Sequence, residues 1–361
     1  MKQSIYTFPT AFCLLLCTAC TQADTVVPDP GVEEGVPLGV KNLGLSVEVE
    51  SRSIATGGSG VGSAINPNPL TGVGVCVTNA KGVYYDNGNR TQQFAYNAQA
   101  GAWEQAADGE TLLLFSEKGT VYGFSPVEKS ISVTGSPKQP VMGSVKVLDK
   151  QTFIFNDGGN PVDAAADIQW ETSQDDYLYG TATADQPTVD RWHPEVSLQM
   201  WHALAKVSFR VLETEGGMAF AGNGVKKVVL KSGGGFNKST SAKLNLATGE
   251  LGGSMTAVGE LWFTAGGDQR SVGTNYTDVK EVAIQAFGLV IPVTGVSVTL
   301  ELTLDDDRVF TMSPVAGTFT ADWVKGSNYI YNIKISPQGI AITNVEVAGW
   351  NEGGSTDVPV E

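Results

Sequence analysis

The first residues able to do chemistry lie near the start. Lys2 precedes an apolar run, Phe12-Cys13-Leu14-Leu15-Leu16, and then Cys17-Thr18-Ala19-Cys20. A charged start, a short apolar middle and small residues before a thiol form an export signal. The run is too short to remain in a bilayer as a helix, which needs about 20 apolar residues. Thr18 and Ala19 suit a narrow peptidase cleft, and Cys20 then offers its thiol to an acyl donor. Residues 1–20 therefore read as the signal of a lipoprotein, cleaved before Cys20 and held to a membrane by palmitate-like chains. A second reactive point is the Arg52–Ser53 bond. It follows a strand signal and precedes the glycine-rich stretch 55–63, so a protease can reach it.

Other candidate chemistry is thin. His193 and His202 are nine residues apart, which fits no zinc motif, and no paired thiols accompany them. Gly57-Gly58-Ser59-Gly60-Val61-Gly62 has neither the Lys-Ser/Thr nor the helix of a phosphate loop. Asp305-Asp306-Asp307-Arg308 lacks the spacing of a calcium loop and reads as a hairpin turn. Cys76, inside Val73-Gly74-Val75-Cys76-Val77, reads as a buried inert thiol. A hydrolase acting through paired carboxylates has only the abundance of acids in its favour. No catalytic, cofactor-binding or metal residue is assigned.

These points must be carried by β structure. The 361 residues include 43 Gly and 16 Pro, with 42% hydrophobic and 17% charged residues. Thr, Val, Ser and Gly are abundant, and long Leu/Lys/Glu helical runs are missing. The formal charge of −15 argues against nucleic acid as a partner.

Residues 21–42, rich in Pro, Gly and acid, read as a flexible tether. Over 43–50, Leu43, Leu45, Val47 and Val49 alternate with small or acidic residues, which predicts a strand with one apolar face. Short strand signals then recur, with a turn at Asn87-Gly88. The polar stretch 181–194 suggests a boundary near 190. Strand signals continue to Tyr329–Ile335 and 340–347. In the latter, Ile340 and Ile342 fall out of phase with Val345 and Val347, which predicts a bulge near Asn344. The expected fold is all-β: two β-sandwiches in series, 43–190 and 191–361.

Several segments resemble the fimbrillin family, the subunits of type V pili. They are Gly72-Val73-Gly74-Val75-Cys76-Val77, Asp176-Tyr177-Leu178-Tyr179-Gly180, His202-Ala203-Leu204-Ala205-Lys206-Val207, Tyr329-Ile330-Tyr331-Asn332-Ile333 and Trp350-Asn351-Glu352-Gly353. The resemblance implies sandwich domains of transthyretin-like type and a structural role in a fimbria. It implies outer-membrane anchoring through a lipid at Cys20 and cutting between Arg52 and Ser53 by an arginine-specific protease. Loss of strand 43–52, with Leu43, Leu45, Val47 and Val49, would then open a groove. A donor from the C-terminal region 340–361 of another subunit would fill it, through Ile340, Ile342, Val345, Val347, Val358 or Val360. Expected partners are other fimbrial subunits, identical or different, the outer membrane, that protease, and a host protein or glycan. The alternative readings are a monomeric lipid-anchored adhesin or glycan-binding protein, and a tip or anchor accessory subunit.

Overall fold

In the computed structural model every element among the described residues is a β-strand. Those residues are 33–45, 70–85, 91–97, 99–107, 111–156, 169–214, 220, 222–274, 279, 282–312, 317–349 and 355–358.

A seven-stranded sheet runs Gly39–Leu45, Glu195–His202, Leu178–Ala182, Gly119–Ser125, Gly72–Asn79, Thr91–Asn97 and Ala102–Gln105. Its centre is Gly119–Ser125, and beside it lies Gly72–Asn79, whose Val73, Val75, Cys76 and Val77 are all buried. That continuous burial explains the unbroken apolar run. Glu195–His202 alternates instead, turning Val196, Leu198, Met200 and His202 inward.

A five-stranded sheet orders Ala286–Val290, Ala205–Glu213, Ser327–Ser336, Gly339–Gly349 and Ser355–Val358. It packs on a nine-stranded sheet around the paired strands Val225–Asn245 and Leu251–Ala265. Phe209, Phe263, Phe287, Trp323 and Tyr331 fill the space between them. Trp323 stacks on Phe236 at 5.5 Å and donates its indole N–H to the Tyr331 hydroxyl at 2.7 Å. The bulge anticipated near Asn344 is present: the ladder shifts between Ile342 and Asn344 and leaves Thr343 over.

The hydrogen bonding does not divide at residue 190. Glu195–His202 pairs with Leu178–Ala182, so the chain changes sheets at Ala203-Leu204. Conversely Gln139–Val147 pairs with Val225–Asn245, and Lys150–Asn156 runs parallel to Leu251–Ala265. A shared core joins Cys76, Phe124, Tyr177 and Tyr179 to Met142, Val145, Ala242, Leu244 and Leu289. At the N-terminal end the strand starts at Gly39, within the stretch the composition marks as tether. Two glycines and a proline at 35–39 read as loop residues in sequence, yet here Pro37 pairs with Leu113, Gly39 with Glu195, and Leu38 between them is buried.

Candidate functional site

The N-terminal strand Gly39–Leu45 is the edge of the seven-stranded sheet and lies parallel to Glu195–His202. Val40 pairs with Val196, Asn42 with Ser197 and Leu43 with Leu198, and Lys41 bulges out of the ladder. Just before it, Val36–Pro37 pairs antiparallel with Leu113–Leu114. Between the two pairings the backbone is held on both sides. Leu38 N–H donates to the Leu112 carbonyl at 3.0 Å, and Gly39 N–H donates to the Pro194 carbonyl at 2.9 Å. Leu38, Val40 and Leu43 are buried in the core that also holds Leu112, Val196 and Leu198.

Gln92 closes this seat from below. Its side chain is fully buried; Oε1 accepts from Leu112 N–H at 2.9 Å, and Nε2 donates to the Leu38 carbonyl at 3.4 Å. A side-chain amide thus stands in for a missing backbone ladder step. Three other buried glutamines do the same. Gln151 pairs with both backbone groups of Leu289, Gln174 bonds Leu148 N–H and the Lys146 carbonyl, and Gln285 bonds both groups of Val211. Sequence reading missed them, because a lone Gln inside a strand signal looks like a solvent-facing position.

At the other end of the chain, Gly339–Gly349 lies between Ser327–Ser336 and the edge strand Ser355–Val358. Ile340 is buried, and Ile342, Val345 and Val347 pack half-buried on the same core. On the opposite face Glu346 is buried and accepts from Arg210 and Asn332, each at 2.8 Å. Val358 pairs with Val345. Of the remaining expected residues, Leu45 closes the N-terminal strand opposite Met200. Cys20, Val47, Val49, Arg52, Ser53 and Val360 lie outside the described residues.

Two of the motifs singled out in the sequence meet at the sheet change. Asp176 precedes one strand, His202 ends the next, and Lys206 opens the third. His202 Nδ1 lies 2.9 and 3.1 Å from the two Asp176 carboxylate oxygens, with both side chains buried. Burial pushes the Lys206 amine down to about 7 against the opposing pull of Asp176. Its Nζ stands 5.5 Å from the centre of the Phe287 ring. Gly180 belongs to the same corner, since a Cβ there would run into Met200 and the Gln199 backbone. These three side chains are buried and closed to a substrate: the cluster ties two sheets together.

The remaining candidates resolve simply. The acids 305–307 occupy a hairpin turn between Val293–Leu304 and Val309–Thr311. Gly224 N–H and Asn223 hold the Asp305 carboxyl below its ordinary range, and Arg308 and Lys226 engage Asp306 and Asp307. Burial pushes the Cys76 thiol up to about 12. Among the described residues no three His, Cys, Asp or Glu side chains group closely enough to hold a metal ion.

A family model described as fimbrillin-like matches residues 66–350. The chain belongs to the fimbrillin-like family. The seven-stranded sheet from Gly72 onward and the five-stranded sheet through Gly349 fall inside this fimbrillin-like match, while the N-terminal strand precedes it and Ser355–Val358 follows it. Among solved structures, a candidate cell adhesion protein from Bacteroides ovatus is 18% identical with a TM-score of 0.53, covering 88% of this chain and 98% of that one. A fimbrial protein from Bacteroides vulgatus is 14% identical with a TM-score of 0.48, covering 87% and 99%. The fimbrial anchor protein Mfa2 from Porphyromonas gingivalis is 12% identical with a TM-score of 0.36, covering 90% and 100%. At these identities the Bacteroides ovatus likeness speaks to the fold alone. No curated protein matches.

Proposed function

We propose that this fimbrillin-like chain is a structural subunit of a cell-surface fimbria rather than an enzyme. In this reading it is built as two transthyretin-like halves and exported as a lipoprotein anchored to the outer membrane through Cys20. An arginine-specific protease trims it after Arg52, and strand exchange joins it to other subunits. Adhesion to a host protein or glycan is the role of the assembled fibre.

One observation carries the reading: the N-terminal strand is an edge strand that fills a core. Leu38, Val40 and Leu43 are buried, yet backbone pairing reaches Gly39–Leu45 from one flank only. Removing it would expose roughly 5–9 kcal/mol worth of apolar burial, at 1.5–3 kcal/mol per side chain. It would also strip the partner groups from Leu112, Gln92, Pro194 and Glu195–His202. An edge left in that state takes up another strand. The bond after Arg52 lies downstream of the strand, so cutting it releases 38–45 and the lipid together.

The test is the N-terminus of the protein sheared from cells. A start at Ser53 is expected. A polymer whose subunits all begin with acylated Cys20 would overturn the reading.

A further inference from the structure

We infer that the turn Asp190–His193 is a sugar-binding site: the Trp192 indole takes the face of a neutral hexopyranose, and Arg191 and His193 take its hydroxyls. The inference rests on the adhesive role given to the fibre above, and it names the ligand class and the residues that bind it.

Trp192 is unusually open. Among the described residues three large apolar side chains are exposed, and Trp192, at 65%, is the most exposed and the only aromatic one. The other two, Val309 and Val324, belong to the nine-stranded sheet and to the loop after Phe319–Trp323. Trp103, Trp201, Trp262 and Trp323 are all partly or wholly covered. An indole left in water forgoes one of the largest burial gains open to a side chain.

The turn that presents it is fixed at every point. Asp190 is buried, and its Oδ1 accepts from the backbone N–H groups of Trp192 and His193, each at 2.9 Å. The same oxygen lies 3.0 Å from His193 Nδ1. Asp190 N–H donates to the His193 carbonyl at 3.3 Å, and His193 N–H donates to the Asp190 carbonyl at 3.0 Å. Both flanks are pinned. Arg191 N–H donates to the Phe115 carbonyl at 2.8 Å, Val189 exchanges both backbone bonds with Gly119, and the Pro194 carbonyl accepts from Gly39 N–H at 2.9 Å. A rigid support of this kind lowers the ordering cost when a ligand settles on the ring.

The groups beside the ring complement a sugar. The Arg191 guanidinium lies over the indole, 5.9 Å from its centre. Its five N–H donors let it serve a pair of hydroxyls beside its partners within the chain. The His193 side chain is 68% exposed. Its Nδ1 faces a carboxylate, which only accepts, so the neutral ring carries its proton there and Nε2 is an acceptor for a hydroxyl. The negative face of an indole attracts the C–H edges of a partner. One turn thus offers an apolar face, donors and an acceptor. A pyranose is apolar on its C–H faces and polar around its rim.

Two other occupants fit less well. A stable protein partner covers about 800 Å² around a contiguous apolar centre. The exposed residues on the segments next to Trp192 are instead polar: Ser116, Glu117, Lys118 and Glu195. An anionic glycan gains nothing from charge, because Lys118 and Arg191 are balanced by Glu117 and Glu195. The chain as a whole, at −15, repels a polyanion.

The purified full chain is titrated with soluble N-acetyllactosamine and mannose oligomers, followed by saturation-transfer NMR. Saturable binding of a neutral oligomer is expected, changing by less than about twofold between low and high salt. Trp192→Ala should weaken it by roughly tenfold or more at an unchanged melting temperature, and Trp192→Tyr should keep most of it. No binding of either neutral oligomer, equal binding by Trp192→Ala, or tighter binding of polygalacturonate than of both overturns the inference. A second measurement uses a limiting amount of an indole oxidant and peptide mapping. Trp192 should gain oxygen first, both in the free chain and in the sheared fibre, and the bound oligomer should protect it. A Trp192 shielded in the fibre without sugar is a contact between subunits, and overturns the inference. Assembly is read separately from the N-terminus of the sheared protein. A fibre that ignores both neutral oligomers refutes the site and leaves the fimbrial reading standing, whereas sugar binding by a chain that never assembles supports the site and refutes that reading.

Discussion

Replacing Gln92 with Met tests whether a side-chain amide really substitutes for a ladder step. Methionine fills nearly the same volume, so the apolar packing around position 92 changes little. Two backbone groups lose their partner: Leu112 N–H, bonded at 2.9 Å, and the Leu38 carbonyl, bonded at 3.4 Å. The first bond is well formed and buried. Orphaning such a donor costs about 1–3 kcal/mol. The second is long and adds less, so the total should be about 1.5–3 kcal/mol. The assay is urea unfolding of the untrimmed full chain, reading the midpoint at constant slope, together with hydrogen exchange at the Leu112 amide. Exchange there should accelerate by roughly tenfold or more, since every 1.4 kcal/mol is about a factor of ten. Protease cutting within 36–45 should speed up with it. A stability loss below about 0.5 kcal/mol with unchanged exchange at Leu112 would show that the amide is dispensable, and that the seat is held by its apolar side chains alone.

Three further outcomes follow from the cores. Lys206 is protonated less readily in the fold than in the unfolded chain, so the unfolded state binds the extra proton between about pH 7 and its ordinary value of 10.5. Stability should therefore rise with pH across that window by up to about 1.4 kcal/mol per unit from this group, and Lys206→Met should flatten the rise in thermal melts taken from pH 6.5 to 10.5. Trp323→Ala removes a buried indole stacked on Phe236 and the donor to the Tyr331 hydroxyl, and should cost about 3–5 kcal/mol in chemical unfolding. Cys76 should resist a thiol reagent at pH 8 in the native chain and react within minutes in denaturant, because burial keeps it protonated.

The β class was legible because alternation and turn chemistry are local. The alternation of Leu43 and Leu45 marks a strand with one apolar face, and the offset between Ile342 and Val345 announces the bulge. The strand partners were not legible. The polar, proline-containing stretch 181–194 has the composition of a linker, yet the strands on either side of it are hydrogen-bonded neighbours. Composition reports solvation, and pairing is decided by residues far away in the chain. The N-terminal strand was displaced for a similar reason: Leu38 and Val40 are separated by glycine and flanked by proline, so their burial depends on Gln92, Leu112 and Val196. Asp176, His202 and Lys206 could be marked as motif residues, but their convergence required the fold.

One long element has a mechanical consequence. Val225–Asn245 runs through two cores, pairing with Val293–Leu304 along its first part and with Gln139–Val147 along its last. Between these parts Gly233 and Gly234 take left-handed φ and the ladder with Leu251–Ala265 skips from Lys231 to Phe236, so a bulge joins the two parts. A pull applied along such a strand loads its many lateral bonds at once, in shear, instead of opening them one by one like a zipper. A fibre made of such units would carry tension through one chain segment shared by both cores in each link, and the yielding points would be the exchanged strands between links.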